Sequence, residues 1–114
     1  MKPAPLSAYF YRTASGNEPV RQWLKELGRP DSRIIGEDIA DVQHGWPVGM
    51  PVCRPLGDGM YEVRSSLPGN RIARVLFFFD GGDMILAHGF IKKTRETPET
   101  DLRLARDRKR DYLA

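Results

Sequence analysis

Residues 60–92 read MYEVRSSLPGNRIARVLFFFDGGDMILAHGFIK, and this stretch decides the fold. Met60 to Ser66 alternates, with Tyr61 and Val63 on one face and Glu62 and Arg64 on the other. Pro68-Gly69-Asn70 is a hairpin signal. Ile72 to Phe79 follows, and its Val75-Leu76-Phe77-Phe78-Phe79 run is apolar on both faces, as a central strand is. Asp80-Gly81-Gly82-Asp83 is a second tight turn, and Met84 to Phe90 a third strand. Strands joined by such short turns form an antiparallel meander.

Upstream, Leu6 to Arg12 reads as an opening strand with Tyr9, Phe10 and Tyr11. Asn17 is placed to cap a helix that has Glu18 and Pro19 in its first turn. Val20, Trp23, Leu24 and Leu27 make one apolar stripe, and Gly28 stops it. A second helix starts at Pro30-Asp31-Ser32, buries Ile34, Ile35, Ile39 and Val42, and ends at Gly45. The short link between the two helices makes them a hairpin. Trp46 to Leu56, with Pro47, Pro51 and Pro55, reads as an ordered irregular segment, and Gly57-Asp58-Gly59 as a turn. Downstream, Thr97 is placed to cap a last helix, with Pro98 at its first position. The expectation is a single α+β domain over residues 1–114, in the order β-αα-βββ-α. Its antiparallel sheet packs against an N-terminal helical hairpin.

Length and composition limit the function classes. A chain of 114 residues holds one core. The single cysteine, Cys53, rules out an intramolecular disulfide and points to a reduced cytoplasm, with Cys53 a buried structural thiol. The opening Met-Lys-Pro-Ala-Pro-Leu lacks the apolar run of a signal peptide, and no segment is apolar enough to span a membrane. Residues 90–114 carry eight basic and five acidic side chains, while the first 89 residues balance, so the net charge of +3 sits at one end. Such asymmetry suggests a polyanionic partner.

The chemistry-bearing residues cluster around the same strands. Ile91-Lys92-Lys93-Thr94-Arg95-Glu96-Thr97-Pro98 places cations where the third strand of the meander ends. Arg74 interrupts an apolar strand, and two readings of it stand open. Either it points into a groove and holds a phosphate, or it sits at the strand end and pairs with Glu62. Lys92 and Lys93 take opposite sides if the strand continues, as a groove contact or as solvated lysines. Arg103, Arg106, Lys109 and Arg110 read as the solvent face of the last helix. His44 and His88 lack neighbours at metal-ligand spacing, so no metal site is expected. His88 is a candidate for chemistry, with a buried, hydrogen-bonded histidine as the alternative. Its parity groups it with Leu86 and Phe90. Phosphate-loop and dinucleotide fingerprints are missing, and no cofactor is expected.

The segments Gly59-Met60-Tyr61-Glu62-Val63-Arg64, Arg74-Val75-Leu76-Phe77 and His88-Gly89-Phe90-Ile91-Lys92-Lys93-Thr94-Arg95-Glu96-Thr97-Pro98 resemble the RelE/ParE toxin superfamily. They look closest to its HigB-like branch, often labelled phage-derived toxin-like proteins. The resemblance implies a RelE-like fold and the toxin of a type II toxin–antitoxin pair. It implies a cytoplasmic, metal-independent endoribonuclease (an mRNA interferase) that cuts mRNA on the translating ribosome and inhibits translation. Its partners would be mRNA, the ribosome and a helix-turn-helix antitoxin. By position, Arg74 would stabilise the phosphate. Arg64, Lys92 and Lys93 would bind RNA or assist proton transfer, with Arg71 and Arg95 as further RNA contacts. Glu62, where some relatives carry a lysine, and His88 are the remaining candidates.

Two other readings share the fold. One is a gyrase-inhibiting toxin; the other is a nucleic-acid or ribosome binder with no chemistry. An Arg74 buried in a salt bridge would favour these two over cleavage.

Overall fold

The computed structural model describes residues 6–46, 53–92 and 96–114. The elements run β1 (Ser7–Phe10), α1 (Pro19–Leu27), α2 (Asp31–Gly45), β2 (Cys53–Gly57), β3 (Met60–Leu67), β4 (Arg71–Asp80), β5 (Asp83–Lys92) and α3 (Glu99–Leu113). The strands form one five-stranded sheet in the order β1-β5-β4-β3-β2. β2 to β5 make the antiparallel meander, and β4, rich in phenylalanine, lies at its centre. β1 returns to pair parallel with β5, so the sheet is mixed where an antiparallel one was expected. A parallel pairing needs a crossover, and here the whole helical hairpin and meander separate the two strands.

The α+β class and the hairpin agree with the sequence reading, while the strand count differs by one. Residues 53–57 form β2 inside the stretch read as irregular. β2 is an edge strand, where Pro55 sacrifices no central ladder bond. The remainder of that stretch, residues 47–52, lies outside the described residues.

Two layers of helix sandwich the sheet. α1 and α2 cover one face, where Val20, Ile35, Ile39 and Val42 pack on Val63, Val75, Phe77, Met84 and Leu86. α3 covers the other face through Ala105, against Met60, Leu76, Phe78, Ile85, Ala87 and Phe90. Gly28 follows α1 with φ of 66°, a backbone that glycine adopts without steric cost. Cys53 is buried beneath the hairpin, and burial pushes its thiol up to about 11.

Both helix caps depart from expectation. Glu18, not Asn17, precedes α1, and the Asn17 amide donates to Ser15 instead. Pro98 precedes α3, one residue later than expected, and the Thr97 hydroxyl is engaged elsewhere.

α3 is pinned along its length by polar contacts. The Tyr11 hydroxyl donates to Asp111 at 2.6 Å, and Arg108 Nη1 donates to the Ala87 carbonyl at 2.8 Å. Arg106 pairs with Asp58 at 3.2 Å, and Lys109 donates to the Asp58 carbonyl. Arg106 and Lys109 therefore dock the helix on the β2–β3 turn, while Arg103 and Arg110 are exposed. No helix of the described residues is long and apolar enough to cross a membrane.

Candidate functional site

Strand register arranges the polar residues on the α3 side of the sheet into three rows. Arg54, Glu62, Leu76 and His88 lie opposite one another across β2, β3, β4 and β5. Arg64, Arg74 and Phe90 form the next row, and Ser66, Ile72 and Lys92 the third. The rows follow from the two-residue period of a strand. A register shift makes the first row possible. Leu76 faces His88 while Phe77 faces Leu86, so Ala87 is an extra, bulged residue. The bulge corrects the parity read from sequence. Leu86 packs under the helical hairpin, whereas His88 and Phe90 turn toward α3.

The first two rows enclose a buried ionic cluster. Arg74 and Glu62 are both 0% exposed. Arg74 Nε lies 3.6 Å from Glu62 Oε1, and Arg54 Nε lies 2.9 Å from Glu62 Oε2. Thr97 donates its hydroxyl to Glu62 Oε1 at 2.8 Å. Arg74 Nη1 donates to the Glu96 carbonyl at 2.6 Å. Of the two readings of Arg74, the structure has the pairing with Glu62, made from within β4 rather than from a strand end. Burial lowers the Arg74 pKa from its ordinary value and the Arg64 and Arg54 charges add to this, while Glu62 opposes it.

One carboxylate thus serves two arginines, and Arg64, half-buried beside them, has no carboxylate partner among the described residues. Positive charge on this face thus reaches the part-exposed Arg64. Lys92 extends it in the third row, where its side chain is 46% exposed and 3.8 Å from Asp101 Oδ2.

At the other end of the first row, His88 Nε2 is 2.7 Å from Asp101 Oδ1, both side chains nearly buried. The His88 ring stacks on Phe90 at 5.4 Å between centroids. Asp101 lies in the first turn of α3, so this contact depends on where the helix begins. A carboxylate on one imidazole nitrogen fixes the ring and its tautomer, leaving the other nitrogen for proton exchange.

Arg64, Arg74, Glu62, His88 and Lys92 therefore share one face. Arg71 does not. It projects to the hairpin side, where its guanidinium grips Asp31 at 2.7 and 3.0 Å and donates to the Pro68 carbonyl. That fork ties α2 to the sheet and sets Arg71 apart from the other candidate RNA contacts. Lys93 and Arg95 lie outside the described residues. Sequence reading missed Arg54, Thr97 and Asp101. Arg54 sat in a stretch read as loop, Thr97 was read as a cap, and Asp101 resembled any acid on a solvated helix.

Among the described residues, no group of three or more His, Cys, Asp or Glu is placed to hold a metal ion.

These features define a small α+β domain with a cationic sheet face backed by a buried arginine–glutamate cluster. Residues 22–110 match the family model described as Phage derived protein Gp49-like (DUF891), and the chain belongs to that family. The match begins within α1, ends within α3 and spans every residue of the three rows. Comparison with curated proteins gives no match.

Proposed function

We propose that this Gp49-like protein is the toxin of a type II toxin–antitoxin pair, of the HigB-like branch of the RelE/ParE superfamily. It acts on translated mRNA as an endoribonuclease in the cytoplasm and is neutralised by a helix-turn-helix antitoxin. The observation that carries this reading is the clustering of Arg64 and Lys92 beside the His88–Asp101 pair on one sheet face.

RNA cleavage without metal requires a base for the 2′-hydroxyl, a cation for the phosphorane, and an acid for the departing 5′-oxygen. The 2′-oxygen–phosphorus bond forms as the phosphorus–5′-oxygen bond breaks. Arg64 replaces Arg74 as the phosphate ligand in this scheme, because a guanidinium with 0% exposure does not reach a substrate. Arginine suits that role through its bidentate geometry. His88, oriented by Asp101, exchanges the proton, and Lys92 engages the backbone.

The burial of Arg74 favours a second reading, a toxin that inhibits by binding, as the gyrase-directed branch does. Induction in a bacterium separates them, comparing wild type, Arg64→Ala and His88→Ala, with cleavage mapped by primer extension. The same message lacking its start codon serves as control. Cuts by wild type alone, on the translated message alone, support the nuclease. Growth arrest with DNA damage and no cuts would sink it and favour binding.

A further inference from the structure

The buried pair converges on two consecutive residues. Arg74 donates to the Glu96 carbonyl at 2.6 Å, and Glu62 accepts from the Thr97 hydroxyl at 2.8 Å. Glu96 and Thr97 lead through Pro98 into α3, whose first turn carries Asp101. Asp101 in turn meets His88 at 2.7 Å and Lys92 at 3.8 Å. The rest of α3 is held elsewhere, by Arg106 and Lys109 at Asp58, Arg108 at Ala87 and Asp111 at Tyr11.

We propose that Arg74 and Glu62 are positioning residues: they latch the Glu96–Thr97 segment to the sheet and thereby hold Asp101 against His88. A buried ion pair is a poor filler, since apolar residues of the same volume cost less desolvation. The neighbouring row on this face, Met60 and Phe78, shows that apolar side chains fit here. What the ionic pair adds is direction. One partner offers a donor to a backbone carbonyl and the other an acceptor to a hydroxyl, which apolar side chains offer to neither. The latch is a property of the fold; its importance for catalysis rests on the functional reading above.

The test uses the purified full chain and the variants Thr97→Val, Thr97→Ser and Arg74→Lys. Thr97→Val removes one donor from a half-buried side chain, and Arg74→Lys keeps the charge while losing the fork. The readout is the ring nitrogen and proton spectrum of His88, recorded beside thermal unfolding and growth arrest. Folded Thr97→Val and Arg74→Lys proteins are expected to show shifted His88 ring signals and reduced growth arrest. Thr97→Ser is expected to restore the wild-type spectrum. Unchanged His88 signals in folded Thr97→Val would overturn the latch whatever happens to activity. Shifted signals with full growth arrest would leave the latch standing and remove His88 from the chemistry.

Discussion

The two faces of the sheet are built from the same strands and solve different problems. Under the helical hairpin, contacts are apolar and aromatic. Trp46, Tyr61, Phe77 and Phe79 form a ring cluster with centroids 4.7 to 5.5 Å apart, next to Ile35, Ile39 and Val42. Under α3, the half containing Met60, Leu76 and Phe78 is apolar, and the half containing Arg54, Glu62, Arg64 and Arg74 is ionic. Apolar packing is non-directional, so the hairpin face keeps the sheet folded. Ion pairs and hydrogen bonds are directional, so the α3 face sets where particular atoms lie. Among the described residues, Arg64, Arg74, Glu62, His88 and Lys92 sit on that second face.

The largest effect expected is at its centre. Glu62→Ala removes the carboxylate facing the buried Arg74 and should cost about 3–5 kcal/mol, and Arg74→Ala should cost a similar amount. Arg74→Met with Glu62→Leu removes both charges and should recover much of that loss, as matched apolar replacements of buried pairs do. Denaturant melts of the singles and the double test this. A double variant as unstable as the sum of the singles would show that the pair does not act as a unit. A consequence follows for Arg74→Ala in cells. Lost growth arrest would report unfolding as readily as lost chemistry, so its fold must be read beside its activity.

A smaller effect is expected on the hairpin face, where steric fit decides. Gly89 lies opposite Val75, and a methyl group there would overlap Cε3 and Cζ3 of Trp23 in α1. Gly89→Ala should therefore destabilise by about 1–3 kcal/mol, the usual range for overpacking. Its tryptophan fluorescence should shift as α1 is pushed off the sheet. Trp23→Leu in the same chain should relieve the clash. A Gly89→Ala protein with wild-type stability and emission would mean that α1 sits less closely than the structure has it.

The unequal legibility of the two faces has the same physical origin. Apolar patterning reports which residues avoid water, and it placed Val20, Trp23, Leu24, Leu27, Ile35, Ile39 and Val42 on the hairpin face correctly. It also found the three central strands, because tight turns and alternation are local signals. β2 was hidden because an edge strand containing Pro55 carries little propensity. The bulge at Ala87 has no local signature, so the side taken by His88 was not readable from parity. Arg74 shows the limit most plainly. Its pairing with Glu62 was one of two readings, but only the fold brings in Arg54 and Thr97 to complete the cluster. Asp101 meets His88 through α3 docking, a contact between residues that no spacing rule connects.

The smallest effect expected concerns a directional contact on the apolar side, Arg71 with Asp31. The Arg71 fork holds the Asp31 carboxyl below its ordinary value, with burial opposing. A carboxylate at the first residue of α2 is also favoured by the helix dipole. Asp31 therefore binds its proton less readily folded than unfolded, where its pKa is about 3.9. The folded state carries fewer protons in that window, so the contribution is complete above about pH 5. It is lost as pH falls through the lower, folded value. Asp31→Asn keeps the shape and removes the charge. Urea midpoints should show wild type above the variant at pH 7, the same gap at pH 5, and a narrowing gap on further acidification. A gap that stays constant down to pH 2 would assign the contact to shape and neutral hydrogen bonding. The hairpin face would then owe nothing to charge, and the contrast with the α3 face would be complete.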